Sequence, residues 1–181
     1  MKKALVVIDM QNDFIDGVLG NDECKATVPE VVKLIEEGNY DALVYSQDTH
    51  GEDYLETQEG KNLPVIHCIK NTDGWKLNQH VADAIEAYRV NRDGSVFGFE
   101  KNTFGGLVLT DILKTEELKD YDEIHFCGVC TGICVISNVM LAKATLPEVK
   151  LCVVEKACAC VTPETHKTAI DAIKTCQVAI I

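Results

Sequence analysis

Apolar runs of strand length recur through the chain at 4–8, 42–45, 65–69, 124–129, 151–154 and 178–181, and most are separated by segments of helical period. Residues 29–37 carry Val31, Val32, Leu34 and Ile35; residues 77–88 carry Leu77, Val81, Ala84, Ile85 and Tyr88. Residues 133–145 are apolar on most faces, and 163–176 carry Ala169, Ile170, Ala172 and Ile173. Strands that are apolar on both faces belong to a parallel sheet covered on both sides, so the pattern predicts a three-layer α/β domain. Thr162 before Pro163 reads as an N-cap with proline in the first helical turn. With 181 residues and no internal repeat or linker, residues 1–181 read as a single domain.

Charge narrows the range of partners. Seventeen basic against 29 acidic residues leave a formal charge of -12, which disfavours nucleic acid and anionic membrane surfaces. Lys2 and Lys3 precede an apolar run, but Asp9 ends it far short of a signal or membrane-spanning segment. The expectation is a cytoplasmic protein. Nine cysteines, an odd number mostly placed in apolar runs, fit a reducing compartment where a free thiol packs as a small hydrophobe.

Two stretches, 47–64 and 89–107, are rich in Gly, Asp, Glu and Asn and have no clear period. Long irregular segments often carry function, and in open α/β sheets ligands sit beyond the carboxyl ends of the strands. Polar residues stand at such places: Asp9 after the first run, Asp48 and His50 after the second, His67 in the third, Lys101 in the second irregular stretch and Cys134 after the fourth. No phosphate loop, dinucleotide fingerprint or His-Glu-x-x-His helix is present.

Cys134 lies where a strand turns into a helix, so backbone N–H groups there favour a thiolate and can hold an oxyanion. Asp9 supplies a base for the thiol proton and Lys101 a cation for the resulting charges. Asp48 and His50, two apart in an extended segment, point the same way, and His67 completes a two-His, one-carboxylate metal set. Cys127, Cys130 and Cys134 have a metal-like spacing, but a strand running into a helix makes their side chains diverge. Read from residues alone, Cys134 is equally an inert helix cysteine, Lys101 a surface lysine, and the histidines ordinary hydrogen-bonded groups.

Taken together, Val7-Ile8-Asp9-Met10-Gln11-Asn12-Asp13-Phe14, the Asp48-x-His50 pair, Lys101 and Gly128-Val129-Cys130-Thr131-x-x-Cys134-Val135 resemble the isochorismatase-like cysteine hydrolases. The resemblance implies a three-layer domain with a six-stranded parallel sheet and a catalytic Asp9, Lys101 and Cys134. His67-Cys68-Ile69-Lys70-Asn71-Thr72-x-Gly74 is similar to a nicotinamidase segment. That similarity implies a divalent metal on Asp48, His50 and His67, zinc first with manganese or iron as alternatives. It also implies a cis peptide between Val129 and Cys130, and an oxyanion hole from the N–H groups of Cys130 and Cys134. The substrate then contacts Phe14, Val129 and Cys130.

The expected reaction converts nicotinamide and water to nicotinic acid and ammonia, a step of NAD salvage, and the family admits a homo-oligomer. Three departures from the nicotinamidase pattern keep another small amide, N-carbamoyl or ureido substrate in view. They are Asp48-Thr49-His50-Gly51, Leu63-Pro64 ahead of the third ligand, and Phe104-Gly105-Gly106 after the lysine. Trp75, Phe97 and Phe104 are further candidates for an aromatic wall. A non-catalytic thiol sensor is the reading of another class.

Overall fold

A computed structural model describes residues 1–92, 94–115 and 118–181. In chain order the elements are β1 (Lys3–Ile8), α1 (Asn12–Ile15), α2 (Asp22–Glu37), β2 (Ala42–Asp48), α3 (Gln58–Asn62), α4 (Gln79–Asn91) and β3 (Ser95–Lys101). There follow α5 (Leu107–Leu113), β4 (Glu123–Val129), α6 (Ile136–Thr145), β5 (Lys150–Ala159), α7 (Pro163–Thr175) and β6 (Ala179–Ile180). The six strands form one parallel sheet in the order β3-β2-β1-β4-β5-β6. α2 packs on α4 and β5, while α5 packs on α6 and β3, and α7 on β5 and β6. The expected α/β architecture is what forms.

Ala4 to Ile8 in β1 and Ile124 to Val129 in β4 are buried throughout, as central parallel strands require. The tight contact of these two strands depends on Gly128. Its φ is +117°, and a Cβ there would lie 2.1 Å from the Ile8 carbonyl oxygen.

One expected strand is wrong. Residues 65–69 make only an isolated bridge, His50 to Ile69, and Cys68 takes a left-handed φ of 47° that a strand does not admit. The sixth strand is instead β3, which falls inside the stretch read as irregular and pairs at the sheet edge with β2 from Ala42↔Ser95 to Asp48↔Lys101. Gly98 had masked it. That glycine leaves room for the Tyr45 ring, which lies 2.4 Å from where a Cβ would stand and would have to shift to admit a side chain.

α2 also begins seven residues before Pro29, at Asp22, where the Asn21 side chain accepts from the Cys24 N–H. Pro29 sits inside that helix and does not open it. The Thr162 cap does form, as a capping box with Thr165. Among the described residues no helix is long and apolar enough to cross a membrane.

Candidate active site

Asp9 follows β1, Asp48 and Lys101 end β2 and β3, and Cys130 follows β4, so the polar residues gather at the carboxyl ends of adjacent strands. Lys101, expected on a loop, is the last residue of β3 and the register partner of Asp48. Its ammonium lies 2.7 Å from Asp9 Oδ2, 3.3 Å from Asp48 Oδ1 and 3.5 Å from Cys134 Sγ. Asp9, Lys101 and Cys134, separated by up to 125 positions along the chain, thus meet at one point.

Asp9 is fully buried, with a left-handed φ of 50°. The Ser46 hydroxyl donates to Asp9 Oδ1 at 2.6 Å. Oδ2 receives no directed hydrogen bond among the described residues; it pairs with Lys101 by charge, and the Cys134 thiol is the donor left to approach it. Burial raises the Asp9 pKa, against the opposing pull of Lys101. Burial would lower Lys101, but Asp9, Cys134 and Asp48 around it carry its pKa upward, so it stays charged.

Cys134 sits in a wide turn, Thr131–Val135, that leads into α6. Burial first, and then the Asp9 carboxylate, push its thiol well above the usual range. The backbone N–H groups at the turn favour a thiolate, but desolvation beside a carboxylate works against it, which is why a base such as Asp9 is needed to take the thiol proton. The Val129–Cys130 peptide is cis, as the resemblance implied. Asn138 ties this turn to the loop after Lys101, its amide donating to the Cys134 and Phe104 carbonyls and accepting from the Gly106 N–H.

Beside this cluster, His50 Nε2 lies 2.9 Å and His67 Nε2 3.5 Å from Asp48 Oδ2. Glu59 Oε1, from α3, is 3.7 Å and 4.0 Å from the same two nitrogens. One ligand atom from each of the four residues falls within 4.8 Å of all the others. The His67 ring is oriented by its Nδ1, 2.8 Å from the Val65 carbonyl, which leaves Nε2 facing the cluster. Two imidazoles with carboxylates suit a divalent metal of the zinc, manganese or iron kind. Glu59 was missed in the sequence because the short helix carrying it has no apolar period to announce it.

The motif around Asp9 acquires a structural meaning here. Gln11, fully buried, accepts from the Asp48 N–H at 2.7 Å and donates to the Asp48 and Trp75 carbonyls, both at 2.8 Å. Asp13 Oδ2 accepts from the Cys68 N–H at 2.7 Å, fixing the left-handed residue beside His67. Gln11 and Asp13 thereby set the backbone from which two of the metal-capable side chains project.

A cavity of about 260 Å³ joins the two clusters, walled by Phe14, Leu63, Phe104, Ile133 and Val161, with Asp48, Glu59, His67, Cys130 and Cys134 also reaching it. Phe14 and Cys130, two of the expected substrate contacts, line this cavity. Val129 does not: it is wholly buried in the core and forms no part of the wall, because the chain turns only after it. Of the aromatic candidates Phe104 lines the cavity. Trp75 is held aside by its Nε1–H to Thr49 Oγ1, and Phe97 packs against the core. The spaced cysteines diverge as expected, since Cys130 neighbours Cys24 and Cys160, and Cys134 neighbours Asp9 and Lys101. All nine thiols are free.

With this geometry in place, the relatives fall into line. The isochorismatase domain model matches residues 3–181, and the chain belongs to the isochorismatase family. Its relatives put it in the nicotinamidase-like branch of that family. An isochorismatase family protein of Bacillus subtilis, PncA, is 34% identical over 142 residues, covering 75% of each chain. The nicotinamidase/pyrazinamidase of Mycobacterium tuberculosis is 28% identical, covering 74% of each. The crystal structure of nicotinamidase/pyrazinamidase PncA from Bacillus subtilis superposes with a TM-score of 0.84 at 25% identity, over 99% of both chains.

Proposed function

We propose that this chain is a nicotinamidase, a metal-containing cysteine amidohydrolase that converts nicotinamide and water to nicotinic acid and ammonia. The chain is a hydrolase acting on an amide bond, and it works as one domain. What carries the substrate assignment is a single cavity with the Asp9, Lys101 and Cys134 cluster on one side and the Asp48, His50, Glu59 and His67 set on the other. A flat heteroaromatic ring bearing a carboxamide spans such a space, its ring between Phe14 and Phe104 and its amide carbon at the sulfur.

The four donors of the second set would hold the metal, zinc being the ion best suited to them, and the bound ion would supply a Lewis-acidic point for a ring nitrogen. Asp9 takes the Cys134 proton as the sulfur attacks the carboxamide carbon. Lys101 offsets the negative charge that Asp9 and the sulfur share in turn. The N–H groups of Cys130 and Cys134 hold the tetrahedral oxyanion. Asp9 then returns its proton to the departing nitrogen, which leaves as ammonia. The same carboxylate removes a proton from water as it attacks the thioester, releasing nicotinic acid and the free thiol.

The test is ammonia release from nicotinamide by the metal-loaded enzyme, compared with an N-carbamoyl amino acid and simple aliphatic amides. Nicotinamide turning over with the highest kcat/KM supports the proposal. A folded, metal-loaded enzyme inactive on nicotinamide but active on another member of the set overturns the substrate.

A further inference from the structure

A second group of ligating side chains lies at the other end of the sheet. Glu123 and His125 are two apart on β4 and so face the same side, and β5 sets Cys152 in register with His125 and Lys150 with Glu123. One ligand atom each from Glu123, His125 and Cys152 falls within 4.8 Å of the others. His125 Nε2 is 2.9 Å from Glu123 Oε2, the same separation as His50 Nε2 from Asp48 Oδ2 at the strands' opposite ends.

We propose that Glu123, His125 and Cys152 form a second divalent-cation site, selective for a thiophilic ion of the zinc class, that clips β4 to β5. The donor set is thiolate, imidazole and carboxylate, three ligand types that zinc accepts together with water in the fourth position. The second ring nitrogen of His125 already has its partner: Nδ1 is 3.0 Å from the Tyr40 hydroxyl, and the two rings meet edge to face at 5.5 Å. A hydroxyl accepts as readily as it donates, so Tyr40 can take the Nδ1–H that remains when Nε2 binds the ion.

Cys152 and His125 are buried, whereas the Glu123 side chain keeps 14% of its exposure and gives an ion a way in. Coordination replaces the Cys152 thiol proton, which passes to solvent buffer. Lys150 competes for the site. Its ammonium is 2.7 Å from Glu123 Oε1, but its side chain is 58% exposed and free to swing away, and Oε2 is left for the ion.

Cobalt(II) alone is the probe, titrated into metal-free full-length protein. The cluster of Asp48, His50, Glu59 and His67 contains no thiol, so a near-ultraviolet thiolate-to-cobalt charge-transfer band marks a separate, thiol-bearing site, and its loss in Cys152→Ser assigns it to Cys152. The titration is repeated in a Cys134→Ala background, where the active-site sulfur cannot contribute. The expected result is a band that is complete by about two equivalents in both proteins, one ion for each cluster, disappears in Cys152→Ser and needs at least tenfold more cobalt in His125→Gln. Lys150→Met, a surface change that leaves the core untouched, is expected to tighten binding several-fold, which keeps the proposal testable if Cys152→Ser fails to fold. Absence of a thiolate band in the parent protein, persistence of the band in Cys152→Ser, or no change in Lys150→Met overturns the site.

Discussion

Asp48 and Lys101 are register partners at the ends of adjacent strands, and they join the two halves of the candidate site. Asp48 Oδ1 lies 3.3 Å from the Lys101 ammonium, while Oδ2 faces His50 and His67. One carboxylate therefore spans both clusters. Burial alone would raise the Asp48 pKa, yet hydrogen bonds from the two histidines together with Lys101 hold it well below the carboxylate range.

Removing the ammonium should harm stability as well as rate. Lys101→Met leaves Asp9 and Asp48 buried without their cation, at a cost of about 3–5 kcal/mol in unfolding free energy. Chemical denaturation of the variant measures it. A cost under about 1 kcal/mol would mean that the ion pairs contribute little.

The acid side of the pH profile should belong to Asp9, which must be ionised to accept the thiol proton. Because burial raises its pKa, kcat/KM should fall on acidification at a pH above the ordinary value for aspartate of 3.8. The Ser46 hydroxyl favours the ionised form, so Ser46→Ala should move that fall to still higher pH. An unchanged profile in this variant, or a shift toward acid, would remove Asp9 from the base role.

Gln11 is not among the residues lining the site cavity, yet its loss should be felt there. Gln11→Ala strands the buried Asp48 N–H and frees its strand end. The expected effects are about 1–3 kcal/mol in stability and roughly 10- to 100-fold weaker metal binding at the four-donor cluster. Calorimetric metal titration beside a thermal melt separates the two. Metal affinity equal to that of the parent would show that the Asp48 backbone needs no such clamp.

Dialysis against a chelator should abolish nicotinamide hydrolysis, with zinc restoring it. His67→Ala, lacking one of the two imidazoles, should recover little activity under the same treatment. Full activity in the chelated enzyme, at verified zero metal content, would sever the four-donor cluster from the reaction.

How much of this was legible in the sequence varied with the kind of signal. Buried central strands are apolar along most of their length, so β1 and β4 stood out, and the polar residues closing them marked the site's edge. β3 did not, because an edge strand shares its burial with solvent and Gly98 interrupts its side chains. Residues 65–69 misled for the opposite reason: they are apolar enough for a strand, but Asp13 holds Cys68 in a left-handed turn through a contact 55 positions away. Glu59 and Ser46 were invisible on the same ground, since only tertiary folding gives a lone polar residue its partners. The helix-terminus influence on Cys134 was legible locally, whereas the burial that opposes it is a property of the whole packed sheet.

The most direct test is to quench the enzyme in acid during turnover of nicotinamide and identify the acylated peptide by mass spectrometry. A nicotinoyl thioester is expected on Cys134 alone among the nine cysteines, with Cys134→Ala forming no adduct and releasing no ammonia. Turnover persisting in Cys134→Ala, or the acyl group appearing on another residue, would contradict the assignment of this sulfur as the nucleophile.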